Sequence, residues 1–259
     1  YYFAVYLESK KMMPLIVGSF GLAVLLMTKG LFSILPVASG LGLALIQKKK
    51  WKEILSWQWL LVICLTLLMI SPTLIAYYFQ FDAHPEKEIF GTKGVSGIKF
   101  FFWDSQWGRF TNTGPIKGHG DPFFFFHTML WAFAPWALLA YAGIFRKIKY
   151  IINGKNTYES YTVFGFIFTF IIFSLSSFQL PHYLNQLFPY LAILTAFVLL
   201  DRSRDYRFLK IHEILMMVIS IIFIVLVVLL HLFYFNNIPR IDVVVVLLAG
   251  ITVSLYFIV

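Results

Sequence analysis

Charge is scarce in this chain. Only 13% of its 259 residues are Asp, Glu, Lys or Arg, against 60% apolar and 19% aromatic, which is too apolar for a soluble domain of this size. Cysteine is nearly absent: Cys64 stands alone in an apolar run, which excludes a disulfide framework, a CxxC pair and a thiolate metal site. No internal repeat of fixed period stands out, and no low-complexity tract beyond the apolar bias. The apolar runs contain no ionisable residue apart from terminal groups such as Asp242 and the histidines His127, His212 and His231. Ion-coupled transporters and proton pumps hold their cargo on midplane Asp, Glu, Arg or His, so the sequence speaks against that class.

What the chain has is apolar runs of membrane-spanning length. Residues 13–28, 31–47, 57–79, 127–145, 161–178, 183–200, 214–235 and 243–259 each read as a span, the first two being short. The expected fold is all-α, a polytopic transmembrane helix bundle of about eight spans forming a single domain. Lysine and arginine mark its orientation, because cytoplasmic turns retain positive charge. Lys10 and Lys11, then Lys48 to Lys50 with Lys52, then Arg146, Lys147 and Lys149, then Arg202, Arg204, Arg207 and Lys210 fall at every second turn. Those turns are expected inside. The turn at Lys29, the 80–126 segment, the turn at 179–182 and the link at 236–240 are expected outside. The net charge of +9 is thus topological, and with no continuous basic face it does not indicate nucleic-acid binding. The inner link 149–160, carrying Asn153 and Gly154, reads as the best flexible joint. The opening YYFAVYLESKK, without Met or a signal-peptide pattern, and the ending FIV inside an apolar run suggest a fragment.

The polar chemistry is concentrated between Trp103 and Trp136, in WDSQWGRFTNTGPIKGHGDPFFFFHTMLWAFAPW. A helix near 98–110 would put Phe100, Trp103, Trp107 and Phe110 on one stripe and Asp104, Ser105, Gly108 and Arg109 opposite. Such a helix is expected to lie along the outer membrane surface, its tryptophans at headgroup level. It serves either to seal the bundle or to face a substrate. The segment that follows sets Gly114, Pro115, Gly118, Gly120 and Pro122 around Lys117, His119 and Asp121. A loop so rich in glycine lets backbone and side chains approach a ligand, and a basic group there suits phosphate. The Phe123–Phe126 run marks re-entry into lipid, or lines a groove for a lipid chain. His84 and Glu86 carry no motif.

RF followed by GHGDPFFFFH and PW, LAVLLMTKGLFSILP upstream, and SSFQLPHYLNQLFPYLAIL downstream together resemble the lipid-linked-sugar glycosyltransferases related to protein O-mannosyltransferases and the lipid A aminoarabinose transferase. The three stretches occur in that group's order and cover roughly residues 18–200. The resemblance implies a GT-C fold and an integral-membrane glycosyltransferase. Its donor would be a polyprenyl-phosphate sugar, and its acceptor a lipid, protein or glycan on the extracytoplasmic face. A bacterial inner membrane is the implied location. Such chemistry needs a carboxylate for the acceptor and cations or a metal for the departing lipid phosphate. In that group the principal carboxylate lies in a first outer loop, upstream of these residues.

Carried onto this sequence, the resemblance makes Arg109 and Lys29 the donor-phosphate residues, a guanidinium being able to grip two phosphate oxygens. The rival roles are a snorkelling interfacial arginine and a lysine capping the carbonyls of its helix. Asp104 is a candidate catalytic or metal-ligand carboxylate. It stands where the aminoarabinose transferases have histidines before RF, a departure that puts a divalent metal cofactor in doubt. Lys117, His119, Asp121, His182 and Tyr183 are candidates for the substrate cavity; structural hydrogen bonding for the His119–Asp121 pair, and a capping histidine beside an interfacial tyrosine, are the plainer readings. Two other functions stay open: a polyprenyl-lipid carrier or transporter without chemistry, and a noncatalytic membrane scaffold.

Overall fold

The chain is described by a computed structural model over residues 1–89, 91–113, 117–154, 160–200, 206–233, 244–245, 248–250 and 252. Helices dominate. In chain order they are α1 (Tyr2–Ser9), α2 (Met12–Lys29), α3 (Leu35–Gln47), α4 (Trp51–Ile54), α5 (Gln58–Tyr77), α6 (Gly97–Lys99), α7 (Trp107–Phe110), α8 (Phe124–Ala132), α9 (Ala137–Ile152), α10 (Ser160–Ser174), α11 (Phe188–Leu200) and α12 (Tyr206–Phe233). Among the described residues four stretches are long and apolar enough to cross a membrane: Met12–Lys29, Trp51–Asp82, Pro181–Leu200 and Lys210–Leu230. Leu31–Gln47 and Ser160–Ser174 are shorter apolar helices. The link 236–240 lies outside the described residues, as does most of the expected span 243–259.

Side chains are arranged as lipid requires. Leu60, Ile63, Leu67 and Leu68 of α5 and Ile214, Ile221 and Ile222 of α12 are exposed, whereas Ser19, Ser39, Thr66, Thr128 and Thr195 are buried. Four of those hydroxyls donate to the carbonyl one turn back: Ser19 to Leu15 at 2.9 Å, Ser39 to Leu35 at 2.6 Å, Thr128 to Phe124 at 2.7 Å and Thr195 to Leu191 at 2.8 Å. Small hydroxylated residues that satisfy themselves let apolar helices pack closely while large aliphatics meet the acyl chains. A membrane protein follows from these helices and this inversion.

Helices α3 and α10 pack closely, and glycine is the reason. A Cβ on Gly40 would stand 2.6 Å from the Tyr161 carbonyl oxygen, and one on Gly165 would stand 2.5 Å from that of Pro36. On the other side Gly143 of α9 lies against the Leu194 carbonyl of α11. One aromatic core, around Phe125, Met129, Phe166, Phe170 and Leu187, joins α8, α10 and the Pro181–Leu187 turn to α11. A second, with Phe3, Leu15, Leu45 and Val62, joins α1, α2, α3 and α5.

The two classes of turn segregate. At one end Lys10 pairs with Glu53 and the Lys48 ammonium lies 4.5 Å from the Tyr161 ring centre, uniting turns expected inside. At the other end Gln106 reaches Phe32 and Asp121 reaches Gln179, uniting turns expected outside. Lys147, expected as part of an inner charge cluster, is instead 3% exposed, its ammonium 3.4 Å from the centre of the Phe197 ring. That cation–π contact compensates its desolvation.

Two expectations change. Residues 127–145 do not form one helix: α8 stops at Ala132 and α9 starts at Ala137, because Pro135 has no N–H to continue the ladder and disfavours helix in the residue before it. The helix near 98–110 is broken into α6, a π-turn over Phe100–Asp104 and α7. Within it the Ser105 N–H donates to the Phe100 carbonyl at 2.9 Å. The wider turn shifts the face, so Phe101 becomes the buried anchor at 6% exposure. The aromatic stripe survives, with the Trp107 ring 5.9 Å from Trp103 and 5.4 Å from Phe110. The segment 80–126 also contains a small antiparallel ladder pairing Glu88 with Lys93 and Ile89 with Thr92, closed at its base where Asp82 Oδ2 accepts from the Gly97 N–H at 2.9 Å.

Candidate functional site

The site is built around the end of α2. The helix stops at Lys29 because Gly30 adopts φ 75°, a left-handed value that glycine adopts without strain. The Gly30 N–H donates to the Leu26 carbonyl at 2.9 Å, and the Ser33 hydroxyl reaches the Leu25 carbonyl at 3.2 Å. Over this turn lies Gln106, whose Oε1 accepts from the Phe32 N–H at 3.3 Å and whose Nε2 donates to Ser105 Oγ at 3.2 Å. A Cβ at position 30 would fall on Gln106 Nε2, so glycine is required here twice over. Gly30→Ala is expected to lower stability by about 1–3 kcal/mol, from the positive φ together with the Gln106 clash. A thermal melt of the purified protein checks this, and an unchanged midpoint would contradict the geometry.

Two cavities meet at this helix end. One, of about 350 Å³, has Lys29, Ser105, Gln106, His182, Tyr183 and Gln186 in its walls. The other, of about 670 Å³, is apolar, with Phe3, Pro36, Val37, Leu41, Tyr190 and Ile193 among its walls. They share Thr28, Lys29 and Gln186. Lys29 is exposed, and no described carboxylate lies within ion-pair reach of it.

Of the residues expected at a substrate site, Lys29, His182 and Tyr183 are brought together in the first cavity. The His182 and Tyr183 rings meet edge to face at 5.0 Å, and Tyr183 also packs against Phe173 and Phe178. Asp104 lines neither cavity; it stands 3.7 Å from the Lys99 ammonium. Arg109 belongs to α7, whose last residue, Phe110, lines the first cavity, but the Arg109 side chain lies outside the described residues.

Lys117, His119 and Asp121 are exposed and line neither cavity. Their loop is strapped to the rim. The Asn112 side chain holds Gly118 through both its amide ends, at 2.9 and 3.0 Å, and a Cβ on Gly118 or Gly120 would collide with the backbone of residues 176–178. Asp121 has a structural task, since its Oδ1 accepts from the Phe123 N–H at 2.9 Å just before α8. Gln179 accepts from the Asp121 N–H at 2.8 Å and donates to the Ser174 carbonyl at 3.0 Å, tying loop to α10. Among the described residues no three His, Cys, Asp or Glu side chains gather as a metal site would require.

The residues the sequence reading missed are Gln106 and Gln186. A search for ionisable groups passes over neutral carboxamides. The signal that would find Gln186 is its spacing: three residues beyond Tyr183 in a turn of three residues, it shares that residue's face. No family model, curated protein or solved structure matches the chain.

Proposed function

We propose that the protein is an integral-membrane glycosyltransferase that moves a sugar from a polyprenyl-phosphate donor to an acceptor hydroxyl or phosphate at the membrane surface. The observation that carries this reading is the pair of cavities joined at Lys29, the smaller lined by both polar and apolar side chains and the larger mainly apolar. A lipid phosphate has the same division, an anion between a sugar and a long hydrocarbon, and an ammonium without a carboxylate partner suits its charge. The likeness of TKG, RF and QLPHY to the GT-C enzymes supports the same reading.

In the reaction an acceptor oxygen attacks the anomeric carbon, the bond from that carbon to the phosphate oxygen breaks, and the lipid phosphate leaves with the electron pair. Lys29 and Arg109 would stabilise that phosphate. The acceptor's proton passes to a base. Neither cavity is lined by Asp or Glu among the described residues, so this reading assigns the base to a carboxylate outside the lining. About eight spans, an outward-facing site and a bacterial inner membrane belong to the same proposal, supported by the alternation of basic turns.

The test is transfer of radiolabelled sugar from polyprenyl-phosphate donors in membranes carrying the full-length gene product. Donor-dependent labelling of lipid, protein or glycan is the expected result. Donor binding without transfer would favour a carrier.

A further inference from the structure

Between the two cavities stands Gln186. Its Oε1 is buried and accepts no hydrogen bond from the described residues, and the side chain borders both cavities. Leaving a buried carbonyl oxygen bare is destabilising, and native proteins rarely do so without a compensating partner. Lys29, at the same junction, has donors only. A phosphate satisfies Lys29 and can accept from the Gln186 Nε2, but it offers nothing to the Gln186 Oε1, because an ionised phosphodiester has no proton to donate. A ligand that satisfies both carries an anion and, next to it, an O–H or N–H group.

We infer that Gln186 is a specificity-determining residue that reads the sugar of the donor, accepting a hydrogen bond from a hydroxyl or amino group adjacent to the phosphate. This rests on the polyprenyl-phosphate reading above and deepens it. Lys29 binds what every polyprenyl phosphate has in common; Gln186 separates sugar-bearing lipids from the bare carrier that remains after transfer. Product therefore binds more weakly than donor, and the site clears itself.

The experiment compares wild type with Gln186→Met, which keeps length and volume and removes the amide. Binding of undecaprenyl phosphate and of its glucosyl, mannosyl and aminoarabinosyl esters is measured on the full-length protein in nanodiscs, alongside thermal melts without ligand. In wild type at least one ester is expected to bind about tenfold tighter than the bare phosphate. Gln186→Met is expected to bind all of them like the bare phosphate. Its melting point should stay level or rise, since a bare buried amide has been removed. A Gln186→Met protein that keeps its preference for an ester, or that loses only stability, overturns the inference, as does a wild type that binds all four lipids equally. If wild type binds none of them, the polyprenyl-phosphate reading itself fails.

Discussion

Lys29→Ala is expected to weaken binding of polyprenyl phosphate by about 10-fold to 100-fold, the loss of one hydrogen bond to a charged group, and to lower sugar transfer in proportion. Lys29→Arg should retain most of both. The rival role for this lysine, capping the end of α2, predicts almost no effect, because other groups already do that work. The Leu26 carbonyl accepts from the Gly30 N–H and that of Leu25 from the Ser33 hydroxyl. Lys29 is also exposed, so its removal should leave the melting point in place. Titration with undecaprenyl phosphate, followed by tryptophan fluorescence or by thermal shift, separates the two roles. A wild-type affinity in Lys29→Ala would remove this residue from the donor site.

Part of this candidate site was legible in the sequence, and the part that was not has a physical explanation. Lys29, His182 and Tyr183 could be placed together because each stands at an end of an apolar run, at turns that the basic clusters leave free, and the ends of antiparallel helices converge. The stripe Trp103, Trp107 and Phe110 could be read from a period that a single π-turn perturbs without destroying. The break at Pro135 was equally present in the sequence, but an apolar run conceals it from any reading based on hydropathy. Phe101 could not be found as an anchor, since its burial depends on the π-turn itself. Asp104, attractive beside RF, is turned into an ion pair with Lys99 five residues earlier, a contact that depends on the same change of helical register.

The glycines between α3 and α10 give the largest expected effect on stability, and they connect packing to the cavities. At Gly165 a Cβ would meet the Pro36 carbonyl oxygen at 2.5 Å and Tyr190 Cε1 at 2.9 Å; backbone oxygen cannot rotate aside, so the helices must separate. Gly165→Ala is expected to cost about 1–3 kcal/mol, and Gly165→Leu to prevent accumulation of folded protein. Gly40→Ala should cost a similar amount, its Cβ meeting the Tyr161 carbonyl at 2.6 Å. Because both substitutions force the same displacement, the double variant is expected to lose clearly less than the sum of the singles. Thermal melts of the four proteins measure this coupling, and additive losses would mean that the two contacts relax independently. Pro36, Gly40, Tyr161 and Tyr190 all border the apolar cavity, so separating α3 from α10 widens the space assigned to the hydrocarbon chain. Gly165→Ala should therefore weaken polyprenyl-phosphate binding as well as stability, while a short-chain phosphate that occupies only the smaller cavity keeps its affinity. That split distinguishes a displaced cavity wall from general loosening of the fold, which would weaken both ligands alike.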